Sequence, residues 1–162
     1  MKKIVIFGNS GSGKSTLARK LCAEHGLAHL DLDTLAWESG SPPTRRELVE
    51  SHRETDAFID RHPQWAIEGC YSDLIEPLLE RANELIFLDL PIDLCIANAK
   101  ARPWEAHKYD SKAAQDANLA ALLDWIAQYE ERTDTFSRSA HIAMYDKYLG
   151  KKIRYTSNGG SA

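Results

Sequence analysis

Gly8-Asn9-Ser10-Gly11-Ser12-Gly13-Lys14-Ser15, followed by Thr16, sets three glycines, a lysine and four hydroxyls in nine consecutive positions. Those types at that spacing suit the grip of a polyphosphate. Glycines let successive backbone N–H groups turn inward around dense negative charge, where a Cβ would clash. Lys14 is placed to reach the outer phosphates and the Ser15 hydroxyl to ligate Mg²⁺. A dinucleotide fingerprint does not fit, because Ser10 stands where its second glycine belongs, counted from Gly8. The expected ligands are ATP, held by Gly8, Asn9, Ser10, Gly11, Ser12, Gly13, Lys14, Ser15 and Thr16, and Mg²⁺, held by Ser15.

Carboxylates supply the second group of candidates. Asp31 and Asp33 close the apolar stretch Ala28–Leu32, and Asp33 is the candidate that orients an acceptor hydroxyl and takes its proton. Glu68 ends the apolar stretch Gln64–Glu68, where an acid can hold Mg²⁺ directly or through water; Asp89 is its competitor at the next strand end. Arg102, Lys108 and Arg132 are candidate cations over a transferred phosphoryl group, and Arg45 and Arg46 candidate clamps for an anionic acceptor. Cys22, His25 and His29 share a metal-like spacing without a fourth ligand, so no structural metal is expected there.

These residues need elements to position them. Ile4-Val5-Ile6-Phe7 reads as a central strand running into the glycine turn. A helix follows with Leu17, Ala18, Leu21 and Cys22 on one stripe, stopped by Gly26. Strands are expected at 28–32, 64–68, 85–90 and 153–156. Helical faces are expected at Leu48, His52, Thr55 and Ile59, at Leu74, Leu78 and Ala82 behind a Ser72 cap, at Leu119 to Tyr129 and at His141 to Tyr148. Trp104, Trp125 and Tyr129 are expected in the core of the later helices. Alternating strands and helices predict a parallel sheet covered on both faces, with ligands beyond the carboxyl ends of the strands. Two stretches interrupt the rhythm, Glu38–Thr44 with its two prolines and Ala101–Lys112.

With 162 residues the chain suits one domain. Twenty Lys and Arg against 24 Asp and Glu give a net charge of −4, so nucleic acid is not an expected partner. Three widely spaced cysteines read as reduced, and no apolar run approaches membrane length; the cytoplasm is the expected address. No internal repeat is present, and oligomeric state has left no readable signal.

The chain resembles the P-loop nucleoside-kinase and adenylate-kinase-like group, most closely the small proteins known as DNA topology modulation proteins. The residues that carry the likeness are Gly8–Thr16, Leu32-Asp33 with Trp37, Trp65 to Ser72, Leu85 to Asp89, and Trp125 with Tyr129 and Arg132. The resemblance implies a P-loop NTPase α/β fold, a three-layer sandwich around a five-stranded parallel sheet. It also implies an acceptor-binding excursion at about 34–62, a lid at about 101–116 and a purine-facing wall around 156–159. Glu68-Gly69-Cys70-Tyr71-Ser72 departs from the Asp-Gly-Phe-Pro-Arg of adenylate kinases, and the glycine run of shikimate kinases after the third strand is absent. The activity implied is Mg·ATP-dependent phosphoryl transfer to a small molecule, with Lys14, Asp33, Arg102 and Arg132 as catalytic candidates. The alternative is an ATP-binding regulator with weak ATPase activity that acts on DNA topology or a partner protein.

Overall fold

A run of apolar, β-branched residues can be a strand only if both its faces are covered, and Lys3–Gly8 (β1) meets that condition: Ile4, Val5, Ile6 and Phe7 are wholly buried. In the computed structural model, which describes residues 1–40 and 42–158, β1 is the middle strand of five. Ser41 of the Pro-rich turn and Gly159 of the expected purine wall lie outside the described residues. Ala28–Asp31 (β2), Trp65–Gly69 (β3), Glu84–Leu88 (β4) and Lys151–Tyr155 (β5) complete a sheet of order β2-β3-β1-β4-β5, with every pairing parallel. The expected five-stranded parallel sheet is therefore present.

Helices cover both faces. On one side Ile4, Ile6, Ala66, Ile86 and Leu88 pack with Ala18 of Lys14–His25 (α1), Cys95 and Ala99 of Ile92–Ala101 (α5) and Ile126 of Lys112–Ala127 (α6). On the other, Val5, Phe7, Trp65, Ile67 and Phe87 pack with Ile59 of Leu48–Arg61 (α3), Leu74 and Ile75 of Ser72–Ile75 (α4) and Met144 of Arg138–Lys147 (α7). A short helix, Asp33–Ala36 (α2), follows β2. Gly26 ends α1 in a left-handed turn, φ 67°, its N–H returning to the Cys22 carbonyl as the sequence predicts.

Four details differ from expectation for local reasons. Pro77 has no N–H to give, and the helix expected across 74–82 stops at Ile75 and continues as a 3₁₀ turn over Glu76–Glu80. Ser72 does not cap it; its hydroxyl bonds Thr135 instead. The buried face of α3 is Ser51, Thr55 and Ile59, with Leu48 largely exposed; the two hydroxyls are satisfied by the carbonyls of Leu35 and Ser51. Helix α5 was not anticipated; its asparagine and charges dilute an otherwise apolar segment. No helix among the described residues is long and apolar enough to cross a membrane, and Cys22, Cys70 and Cys95 are free.

Candidate functional site

The carboxyl ends of β1, β2 and β3 open onto a cleft of about 880 Å³, within the size range usual for small-molecule sites. Ser10, Gly11, Gly13, Lys14, Ser15 and Thr16 line one end, with Glu68 beside Ser15; Asp31, Asp33 and Cys70 line the other, under the segment from Arg102 to Lys108.

Close approach dictates the phosphate-loop glycines. Gly11 has φ +78°, and a Cβ on it would collide with the Cys95 carbonyl oxygen; Gly13 has φ +92°. The loop is further tied down by side chains the sequence did not advertise. Asn98 donates to the Gly11 carbonyl at 2.8 Å, Asn158 to the Ser12 carbonyl at 3.0 Å, and Asn9 to the Ile126 carbonyl at 3.2 Å. Lys14 Nζ rests on the Asn9 carbonyl at 2.7 Å, within the same cleft.

Glu68 is wholly buried at the end of β3, yet among the described residues no arginine or lysine pairs with it. Ser15 Oγ donates to its Oε2 at 2.6 Å, and His29 Nε2 lies 2.9 Å from the same oxygen. Ser15 and Glu68, singled out separately from sequence, are thus brought together as adjacent hard oxygen donors, a set that fits Mg²⁺ with the rest of its shell filled by water and phosphate. His29 was missed as a site residue because its spacing to Cys22 and His25 suggested a different, rejected, use. No cluster of three or more metal-type side chains occurs among the described residues.

Asp89 is the instructive contrast. It too is buried at a strand end, but Arg138 holds both its oxygens at 2.9 Å and Arg154 binds it as well. Burial alone would raise its carboxyl, but the two arginines win and keep it below the usual carboxylate range. A carboxylate already neutralised twice is a strut, which removes Asp89 as a rival to Glu68.

At the other end of the cleft, Asp31 and Asp33 are linked by a bond from the Asp33 N–H to Asp31 Oδ1 at 2.9 Å. Lys108 Nζ bridges the pair, 2.7 Å from Asp33 Oδ2 and 3.4 Å from Asp31 Oδ2, so this lysine lies on the carboxylates rather than over the phosphate site. The Tyr71 hydroxyl donates to Asp33 Oδ1 and accepts from Trp37 Nε1 at 2.8 Å. Burial pushes the Asp33 carboxyl up, but Lys108 and the Tyr71 hydroxyl outweigh it and hold Asp33 below its ordinary value. Asp31 moves the other way, raised by burial and by Asp33 and Glu68. Burial pushes the Cys70 thiol up to about 12, so the cleft's thiol is inert.

The remaining cations divide. Arg102 lines the cleft and pairs with Glu105 at 3.3 Å. Arg132 does not line it: its guanidinium stacks 3.4 Å from the Trp125 ring centroid and pairs with Asp134 at 2.6 Å. Arg45 lies over the Tyr71, Phe136 and Trp37 rings and pairs with Asp73, while Arg46 pairs with Glu54 at 2.5 Å. Trp104, expected in the core, is 46% exposed and lines the cleft, its indole N–H donating to the Tyr109 carbonyl. The segment it belongs to is anchored to α6 through Gln115, which bonds both Glu105 N and the Pro103 carbonyl.

A glycine-rich loop between a central parallel strand and a helix, with a buried acid on the neighbouring strand beside the loop's hydroxyl, defines a P-loop α/β protein. The chain belongs to the AAA domain family, whose model matches residues 4–123. It is 24% identical over 143 residues to the uncharacterized protein YqaC of Bacillus subtilis (strain 168), covering 86% of this chain and 80% of that one. Among solved structures it is similar to an unliganded sugar kinase from Janibacter sp. HTCC2649, with TM-score 0.54 and 17% identity over 96% of this chain and 85% of that one. It is also similar to shikimate kinase from Bacteroides thetaiotaomicron, with TM-score 0.55 and 16% identity over 96% and 86% of the two chains. At such identities the likeness is one of fold.

Proposed function

We propose that the protein is a kinase that transfers the γ-phosphoryl group of Mg·ATP to a hydroxyl of a small-molecule acceptor. The observation that carries the proposal is the shared cleft: the phosphate loop, the Ser15–Glu68 pair and the ionised Asp33 line one cavity. The sugar and shikimate kinases of the same fold are in keeping with it.

In this reading the amides of Gly8–Thr16 and the positive end of α1 hold the phosphates, and Lys14 swings from the Asn9 carbonyl to the β- and γ-oxygens. Ser15 and Glu68 are the residues that would hold Mg²⁺, which when bound adds positive charge beside the phosphates being separated. Asp33, fixed by Tyr71, accepts the hydrogen bond of the acceptor hydroxyl. As that oxygen bonds to the γ-phosphorus and the bond to the β,γ-bridging oxygen breaks, its proton passes to the Asp33 carboxylate and then to water. ADP leaves with the bridging oxygen. The segment at about 101–116, of which Ala101 to Lys108 line the cleft, acts as the lid that excludes competing water, with Arg102 as its cation towards the transferred group. Arg132 acts on the site only through the packing of Trp125 and Phe136.

A metabolite screen for acceptor-stimulated ADP release tests the proposal, with Lys14→Ala as its control. Stimulated release should fall about 10²–10³-fold in that variant while its melting temperature stays put. Undiminished release in Lys14→Ala would remove the mechanism.

A further inference from the structure

The two ends of the cleft differ in charge. The phosphate end offers amides and Lys14, with Arg19 and Lys20 at its rim. Apart from Glu68, which pairs with Ser15 at the phosphate loop, the acceptor end offers three carboxylates, Asp31, Asp33 and Glu105, and two committed cations. Arg102 is spent on Glu105 Oε1 at 3.3 Å, and Lys108 Nζ is divided among Asp33 Oδ2 at 2.7 Å, Asp31 Oδ2 at 3.4 Å and Glu105 Oε2 at 3.7 Å. His107 Nε2 stands 4.0 Å from Asp31 Oδ2 and from Glu105 Oε2. Arg45 and Arg46, the two arginines that open the neighbouring helical excursion, are paired with Asp73 and Glu54 and do not line the cavity. Burial first, and then the charges of Asp33 and Glu68, raise the Asp31 carboxyl against the pull of Lys108.

We infer that the acceptor is a polyol that is uncharged or carries an amine, and not an anionic metabolite such as a carboxylate or a phosphomonoester. The inference rests on the kinase reading above. An acceptor hydroxyl or ammonium group satisfies the carboxylate oxygens that Lys108 now occupies, so displacing the lysine leaves no buried carboxylate without a donor. An anion meets Asp31 and Asp33 at close range, and the only ammonium between them is already engaged by both. The same cavity thus attracts one charge at its phosphate end and repels it at the other, and an acceptor of the wrong sign is rejected before chemistry begins.

Two size-matched sets of compounds test this against the full chain with Mg·ADP bound: D-glucosamine, D-glucose and D-gluconate, and serinol, glycerol and glycerate, titrated by ligand-observed NMR. In at least one set the amine should bind about tenfold or more tightly than the carboxylate, with the neutral compound between them. Asp31→Asn keeps an oxygen for the Asp33 N–H and should narrow that ratio severalfold; Glu105→Gln gives the same reading if the first variant does not fold. Equal or reversed order, or no saturable binding by any of the compounds, overturns the inference. Turnover is read separately as ADP release from ATP. Binding in the expected order without turnover supports the charge preference and removes the kinase reading. Preferred turnover of an anionic acceptor does the opposite.

Discussion

In the kinase reading proposed above, the phosphate end of the cleft is made of backbone and the acceptor end of side chains. Gly11 and Gly13 turn amides inward within one contiguous stretch, and each glycine is set by steric necessity. At the acceptor end, Asp33 and Trp37 on one segment, Tyr71 on a second and Lys108 on a third meet through polar contacts that span 34 to 75 positions in sequence. A polyphosphate is the same in every P-loop protein, so a fixed backbone cup serves it. An acceptor differs from protein to protein, and side chains assembled by the fold can be exchanged one at a time without disturbing the cup.

The sharpest way to break that contrast is to damage the acceptor end alone. Asp33→Asn keeps the shape and one acceptor oxygen for Tyr71, sets an amide N–H₂ against Lys108 in place of the second oxygen, and removes the charge that in the proposed mechanism takes the acceptor's proton. Acceptor-dependent turnover should fall about 10²–10⁴-fold, while the dissociation constant for Mg·ATP, measured by calorimetry, changes less than about threefold. An equal loss of ATP affinity would mean that the two ends are one unit and that the contrast is false.

The same contrast explains what the sequence made legible. Local rules placed β1, the glycine loop, α1 and its Gly26 stop, because each is decided by neighbours within a turn or two. Strand ends were enough to single out Asp33 and Glu68. What spacing could not show is partnership. Nothing near Asp89 in the chain announces Arg138 and Arg154, 49 and 65 positions away, and nothing near Glu68 announces His29. Arg132 and Lys108 had the right charge at plausible positions, yet Trp125 with Asp134 draws one out of the cleft, and the Asp31–Asp33 pair draws the other onto the acceptor wall. Trp104 reads as core by type alone; only the path of the segment after α5 puts it at the cleft.

Acid offers a second, smaller probe of the side-chain-built end. His141 is wholly buried against Phe7 and Phe87. The Cys70 carbonyl, 2.8 Å from its Nε2, can only accept, so the ring carries its proton there and takes the Tyr129 hydroxyl on Nδ1 at 2.7 Å. Burial pushes this imidazole down to about 4. Its unfolded value is about 6.5, so between those values the unfolded chain binds the extra proton. The contribution is whole above pH 6.5 and is lost as pH falls towards 4, about 3 kcal/mol in all. Urea unfolding of the wild type between pH 7 and 4 should show that loss with a slope near one proton, and His141→Gln should flatten it. Cys70 lies between Glu68 and Tyr71 on the acceptor side, so hydrogen exchange around 68–72 should quicken before exchange around 8–16 as the pH is lowered.

The finest test concerns Tyr71, which touches Asp33 without facing the phosphates. Tyr71→Phe keeps the ring, its edge contact with Phe136 and the stacking of Arg45, and deletes only the hydroxyl between Asp33 Oδ1 and Trp37 Nε1. Trp37 is 37% exposed, so water can replace its lost partner; Asp33 keeps Lys108 but loses the donor that fixes its other oxygen. Removal of a hydrogen bond to a charged group at this level should lower kcat about tenfold. The KM for ATP should stay within about twofold, because the deleted group meets nothing at the cup. In an Asp33→Asn background the same deletion should cost almost nothing more, since the charge it steadies is already gone. A full tenfold loss in that background would show that Tyr71 acts on the acceptor directly, and would move the boundary between the two ends of the cleft from Asp33 to the aromatic cluster behind it.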